Sequence, residues 1–194
     1  MPTIEAKKDL ILDYEQRFAN ELGLAIIPKP KVGVWKVLIP MYFVFHIYRH
    51  KQYMEGRRIF AANFMVSRRG IAVETTEALR QNRPVNLDAL SAKAKLPSKE
   101  AQRDYREWLT VLMAHYRDLL TAQGDNFVAL VELAYRNRSN YLLTLDQLSE
   151  AEKKFNATLR PHIKNETEDI DDFIAGIERH STRLRRAHAQ AVFP

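Results

Sequence analysis

Apolar residues recur at helical spacing through most of this chain. Ile4, Ile11, Tyr14, Phe18 and Leu22 share one face of a helix that Thr3 caps and Gly23 ends. Pro28 and Pro30 prevent its continuation. From Gln52 to about Arg80, Phe60, Phe64 and Ile71 lie near one face and arginines on the others, until Pro84 stops the pattern. Ser98 then caps a helix with the stripe Tyr105, Trp108, Leu109, Leu112, Tyr116, Leu119 and Leu120, which Gly124 closes. Asp125 is expected to cap the next, bearing Phe127, Leu130, Val131, Ala134, Tyr141 and Leu142, and so short a joint predicts an antiparallel hairpin. Thr144 with Gln147 reads as a capping box for a third helix carrying Leu148, Ala151, Phe155 and Leu159 as far as Pro161. Asn165 with Glu168 repeats the device for a fourth carrying Ile170, Phe173, Ile174, Ile177 and Leu184. With no β-alternation of useful length and no internal repeat, the expected fold is an all-α antiparallel helical bundle. Residues 1–83 hold the N-terminal helix, an apolar and basic segment and a following helix; 84–97 form a linker; 98–194 form a four-helix C-terminal bundle.

One stretch breaks the amphipathic rule. Residues 32–48, VGVWKVLIPMYFVFHIY, are almost unbroken apolar sequence. Seventeen helical residues reach roughly 26 Å, short of the ~30 Å hydrocarbon core of a bilayer, and Lys36, Pro40 and His46 weaken simple spanning further. A helical hairpin bent at Pro40 fits the flanks better, because Lys29 and Lys31 precede the run and Arg49, Lys51, Arg57 and Arg58 follow it. A hairpin leaves all six on one face, whereas a spanning helix translocates one cluster. The bend would need protein or headgroup partners for the backbone groups that Pro40 frees. The competing reading is a central helix from Met41 onward, buried by the bundle. Trp35 and Tyr48 near the two ends resemble an interfacial aromatic belt and favour membrane contact. Trp35, Val37, Leu38, Ile39, Pro40, Phe43, Phe45 and Ile47 are therefore the expected insertion residues, and Lys29, Lys31, Arg49, Lys51, Arg57 and Arg58 the expected contacts to anionic headgroups.

Charge sharpens this picture. The chain carries +6, but Lys29 to Arg69 holds nine Lys or Arg against the single acid Glu55, a local +8, so the remaining residues sum to −2. Positive charge gathered on an apolar segment and its flanks suits an anionic membrane surface. Acids interrupt the first eighteen residues, so no cleaved export signal is expected. The absence of cysteine excludes disulfides and thiolate chemistry and fits a reducing compartment.

Candidate chemistry adds little. His46 and His50 have the i, i+4 spacing of metal ligands, but Arg49 and Lys51 would repel a cation. The acids from Glu166 to Asp172 open a helix whose far end carries Arg179, Arg183, Arg185 and Arg186, the order that the helix dipole favours. Arg136, Arg138, Asn140 and Tyr141 form a polar patch in which Arg138 is expected to be half-buried against an acid of a neighbouring helix. No nucleophile elbow, phosphate loop, dinucleotide fingerprint or zinc-protease motif occurs, and neither a cofactor nor catalysis is expected.

The string Pro28 to Glu74, with V-W-x-x-L-I-P ahead of an aromatic run ending in Tyr-Arg, resembles a group of short bacterial helical proteins, as does the later YRNRSNYLLTLDQLSEAE. The resemblance implies a bacterial origin and attaches no chemistry. The sequence therefore predicts a monotopic, non-enzymatic adaptor or scaffold on the cytoplasmic face of the inner membrane. Anionic lipids are its partners, and the bundle is a second surface for a protein. The alternatives are a soluble nucleic-acid-binding bundle using Arg57, Arg58, Arg68 and Arg69, and a lipid- or headgroup-acting enzyme centred on Arg138.

Overall fold

The structure, a computed structural model, describes residues 2–27, 53–163 and 170–194, and these form seven helices and no strand. They are α1 (Ile4–Ile26), α2 (Tyr53–Arg80), α3 (Leu87–Lys93), α4 (Lys99–Thr121), α5 (Phe127–Tyr135), α6 (Arg138–Ile163) and α7 (Ile170–Val192). The apolar run 32–48 and the Asn165/Glu168 capping box lie outside the described residues. Among the described residues no helix is long and apolar enough to cross a membrane.

Helix starts follow short polar side chains that satisfy an otherwise orphaned N–H. Thr3 Oγ1 accepts from Ala6 N at 3.2 Å, and Ser98 Oγ from Ala101 N at 3.0 Å. Two expected starts move. Asn126, not Asp125, caps α5 through Ala129 N at 3.0 Å. The Thr144 capping box does not form, because α6 is already helical from Arg138 and the Thr144 hydroxyl donates to Asn140 O, one turn back. The break falls earlier: Arg136 adopts a left-handed conformation with φ 66°, its N–H closing α5 on Glu132 O at 2.8 Å, and Asn137 Oδ1 accepts from Asn140 N at 2.9 Å to open α6. Pro161 does not end α6; it sits inside the last turn, two residues before Ile163. Gly124 is required where α4 passes to α5, since a Cβ there would lie 2.5 Å from Leu130 N.

The five long helices close into a ring in the order α1, α2, α4, α6, α7 and back to α1. Neighbours run antiparallel except α2 and α4, because residues 81–98, with α3 inside the stretch expected as a linker, return the chain before α4 begins. The α4 stripe is buried as expected, and Leu148, Ala151, Phe155 and Leu159 of α6 meet it. Ile11 of α1 and Ile71 and Ala72 of α2 join the same core, and a second cluster unites Phe18, Leu22, Phe60, Phe64 and Ile177. The α1–α2 hairpin places Ile27 beside the start of α2, with Arg57 Nη2 3.5 Å from Ile27 O. The C-terminal end of α6 and the N-terminal end of α7 lie toward that same end, as Ile26 beside Gly176 shows.

Candidate functional site

Each of the five ring helices contributes to one polar network in the middle of the bundle. Glu15 (α1), Arg68 (α2), Tyr116 (α4) and Arg185 (α7) are buried, and the Glu152 side chain (α6) keeps 19% of its surface. They form one chain of contacts. Tyr116 donates to Glu15 Oε1 at 2.8 Å, and Arg68 Nε donates to Glu15 Oε2 at 3.0 Å. Arg68 Nη2 also donates to Glu152 Oε1, whose other oxygen accepts from Arg185 Nη2 at 2.7 Å. Arg185 Nη1 ends the chain on Ser149 Oγ at 2.7 Å. The aromatic rings of Phe64 and Phe18 lie under the two guanidiniums, at 3.6 Å and 5.6 Å.

Two arginines against two glutamates make the network neutral, which is how charge survives burial. Burial alone would raise the Glu152 carboxyl, but the charges of Arg185 and Arg68 outweigh it and hold the group below its ordinary value. Burial likewise opposes the Arg68 charge, and Glu152 and Glu15 more than restore it. Tyr116 is pushed well above its ordinary value by burial and by the Glu15 charge, so it stays a hydroxyl donor.

Beside the network a crevice opens between α2 and α6, which make no extended contact with each other. Phe64, Trp108, Phe155, Ile177, Arg68, Glu152 and Arg185 are among the residues that line it, and it encloses about 40 Å³. Elsewhere in the ring a group of aromatic residues holds two histidines: Tyr135 Oη lies 2.5 Å from His115 Nδ1, and Tyr141 Oη 3.1 Å from His188 Nδ1. Burial lowers His115 to about 3 and His188 to about 4, with arginine charges adding to both. Among the described residues no group of three or more His, Asp or Glu is placed to hold a metal ion.

The residues singled out from sequence fare unevenly. Trp35, Val37, Leu38, Ile39, Pro40, Phe43, Phe45, Ile47, Lys29, Lys31, Arg49 and Lys51 lie outside the described residues. Arg57 is half-buried and Arg58 exposed on the first turns of α2. Of the expected polar patch, three residues lie exposed at the α5–α6 reversal and one is buried. Arg138 is exposed and donates to the Gln190 amide at 3.2 Å, because the reversal at Arg136 puts it on the first turn of α6 and not mid-helix against the core. Arg136 and Asn140 are exposed with it, whereas Tyr141 is fully buried.

The network itself was missed, though its signal lies in the register. Glu15 stands four residues after Ile11 and three before Phe18; Arg68 has the same relation to Phe64 and Ile71; Glu152 has it to Leu148 and Phe155. Each is a charge at a core position of an apolar stripe. Comparison with known proteins adds no assignment: no family model, no curated protein and no solved structure matches this chain.

Proposed function

We propose that this protein is a membrane-docked helical scaffold, anchored from one end of its bundle by the apolar segment 32–48. One observation carries the reading: the two helices that bracket this segment pack antiparallel, with Arg57 in contact with the carbonyl of Ile27. A single crossing by residues 32–48 would put its two ends on opposite sides of a ~30 Å hydrocarbon core. Residues 49–52 extend at most about 14 Å, too short to bring the chain back to α2. A hairpin bent at Pro40 has no such conflict. It leaves Lys29, Lys31, Arg49, Lys51, Arg57 and Arg58 together at the headgroups, where each cation near an anionic surface is worth about 1 kcal/mol. The buried network then serves rigidity, giving a firm platform for a protein partner on the cytoplasmic leaflet. The geometry at Arg138 gives no support to a catalytic role: the side chain is exposed and donates to the Gln190 amide.

Fractionation tests insertion, and cysteine labelling tests topology. The protein should stay in the membrane pellet through high salt and alkaline wash; release by salt alone would reduce the attachment to electrostatics and overturn insertion. Single cysteines at Lys31 and Lys51, in a chain that has none, should both resist an impermeant thiol reagent outside intact cells and both react once the inner membrane is opened. Labelling of just one from outside would overturn the hairpin.

A further inference from the structure

The outward face of α7 carries charge that nothing on the bundle answers. Arg179, Arg183 and Arg186 are exposed and stand at i, i+4 and i+7, a row within about 60° of arc and about 10 Å long. Arg185, between them, turns inward to the network. Among the described residues α7 makes its ion pairs through Asp171 and Arg185, and none of the three has a carboxylate partner. The helix dipole does not account for the row, because its effect is confined to the last turn, and the last turn of α7 holds no base. Like charges three and four residues apart destabilise a helix. Burial, and then the charges of Arg183 and Arg179, hold His180 below its ordinary value, as an unneutralised row would.

The flanks restrict what anion this row takes. On one side α1 exposes Asp13 and Glu21 with Arg17 between them; on the other α6 exposes Asp146 and Glu150, and Lys153 there is held by Glu150 at 2.7 Å. Each flank thus has two acids against one base. Glu178 of α7 is half-buried on the α6 side, where the Asn156 amide donates to it at 3.4 Å. A polyanion broader than one helix, such as a nucleic acid, meets acids on both sides of the row. With the bundle standing on its anchored end, lipid is out of reach: Arg179 lies about 14 Å and Arg186 about 24 Å along α7 from Ile170, beyond the ~8 Å over which headgroup charge acts. A second helix laid along α7 meets the three arginines alone, and carboxylates spaced four and three residues apart match their rise. We propose that this row is the docking surface for an acidic helix of a partner protein, whose Asp or Glu side chains at i, i+4 and i+7 pair with Arg179, Arg183 and Arg186. The proposal names the kind of partner the scaffold takes, and it rests on that reading, which also keeps the row off the lipid.

The full chain is tested in nanodiscs of phosphatidylcholine, whose neutral headgroups do not compete for the arginines. If it does not enter the discs, the membrane reading fails by itself, and the same titration is run on the protein in buffer. The probe is a labelled synthetic helix of about 24 residues, long enough to be helical alone, built from Ala, Gln and Glu with the glutamates four and three apart. A scrambled peptide of the same composition is the control. At low salt, fluorescence anisotropy should show the spaced peptide bound about tenfold tighter than the scrambled one, the combined effect of three exposed ion pairs, and the preference should fade as salt rises. Arg179→Gln, Arg183→Gln and Arg186→Gln together should abolish it with the helical circular dichroism unchanged. Equal binding of the two peptides, or no binding of either, would overturn the helical partner, and a preference that survives the triple substitution would remove it from this row. A single-stranded oligonucleotide of equal charge that binds tighter than the spaced peptide, and loses its affinity in the triple variant, would overturn the proposal in favour of nucleic acid.

Discussion

Glu152 bonds two guanidiniums and Arg68 two carboxylates, so the loss of either disturbs more of the network than the loss of Glu15 or Arg185. Glu152→Ala should destabilise the fold by about 3–5 kcal/mol, the cost of an uncompensated buried ion, read as a lowered midpoint in urea. Replacing Glu15, Arg68, Glu152 and Arg185 together by Leu, Met, Leu and Met should cost less, since apolar substitutes of similar volume leave no buried charge unpaired and only the Tyr116 hydroxyl loses its acceptor. If the quadruple variant is the less stable, the network contributes net stability and its neutrality is not the governing fact. The histidines give a second residue-scale prediction. Burial lowers both folded values below the ordinary 6.5, to about 3 for His115 and about 4 for His188, so at pH 6 the unfolded chain binds protons that the folded chain refuses. Stability is therefore unaffected above pH 6.5 and falls as pH drops below it. His115 alone contributes about 1.4 kcal/mol per pH unit, and His188, which is less deeply buried, contributes less. His115→Gln should lower the slope between pH 6.5 and 5, a window above the carboxylates. An unchanged slope would mean that His115 titrates normally.

At the scale of elements, legibility followed the local chemistry. The α1 and α4 starts were readable because Thr3 and Ser98 each precede an apolar stripe without a competitor. The start of α6 was not, because Thr144 and Gln147 offer a sound capping box in the middle of a helix. What decides the matter is Arg136 in a left-handed conformation, which no local pattern announces in an arginine. The two assignments separate by mutation. Asn137→Ala should cost about 1 kcal/mol as a lost cap, and Thr144→Ala close to nothing; the reverse order, measured by urea denaturation, would restore the later start. The charged network stayed hidden for a related reason. A charge at a core position of an amphipathic stripe looks like a tolerated imperfection until the partner helices are known, and Glu15 and Arg68 find each other across 53 residues of sequence.

For the whole molecule, the governing fact is that α1 and α2 are members of the ring. Tyr116 of α4 donates its hydrogen bond to Glu15 of α1, and Glu152 of α6 takes one of its two guanidiniums from α2. A fragment of residues 98–194 would keep its own caps but lose Glu15 and Arg68, exposing one side of Leu109 and Leu112 and leaving Glu152 with Arg185 alone. It should unfold without cooperativity or aggregate, even though the sequence marks those helices well. Removing the apolar segment is a different operation. Ile27 and Tyr53 stand at one end of an antiparallel pair, so residues 28–52 can be replaced by a five-residue Gly/Ser turn without moving either helix. Shortening that connection from 25 residues to five lowers the closure entropy by about 1.4 kcal/mol, so this variant should be fully helical by circular dichroism, at least as stable as the parent, and absent from the membrane pellet. Loss of helix or of cooperative unfolding would identify the segment as part of the core and would remove the ground for a membrane anchor; a stable variant that still pellets would place the attachment on the bundle itself.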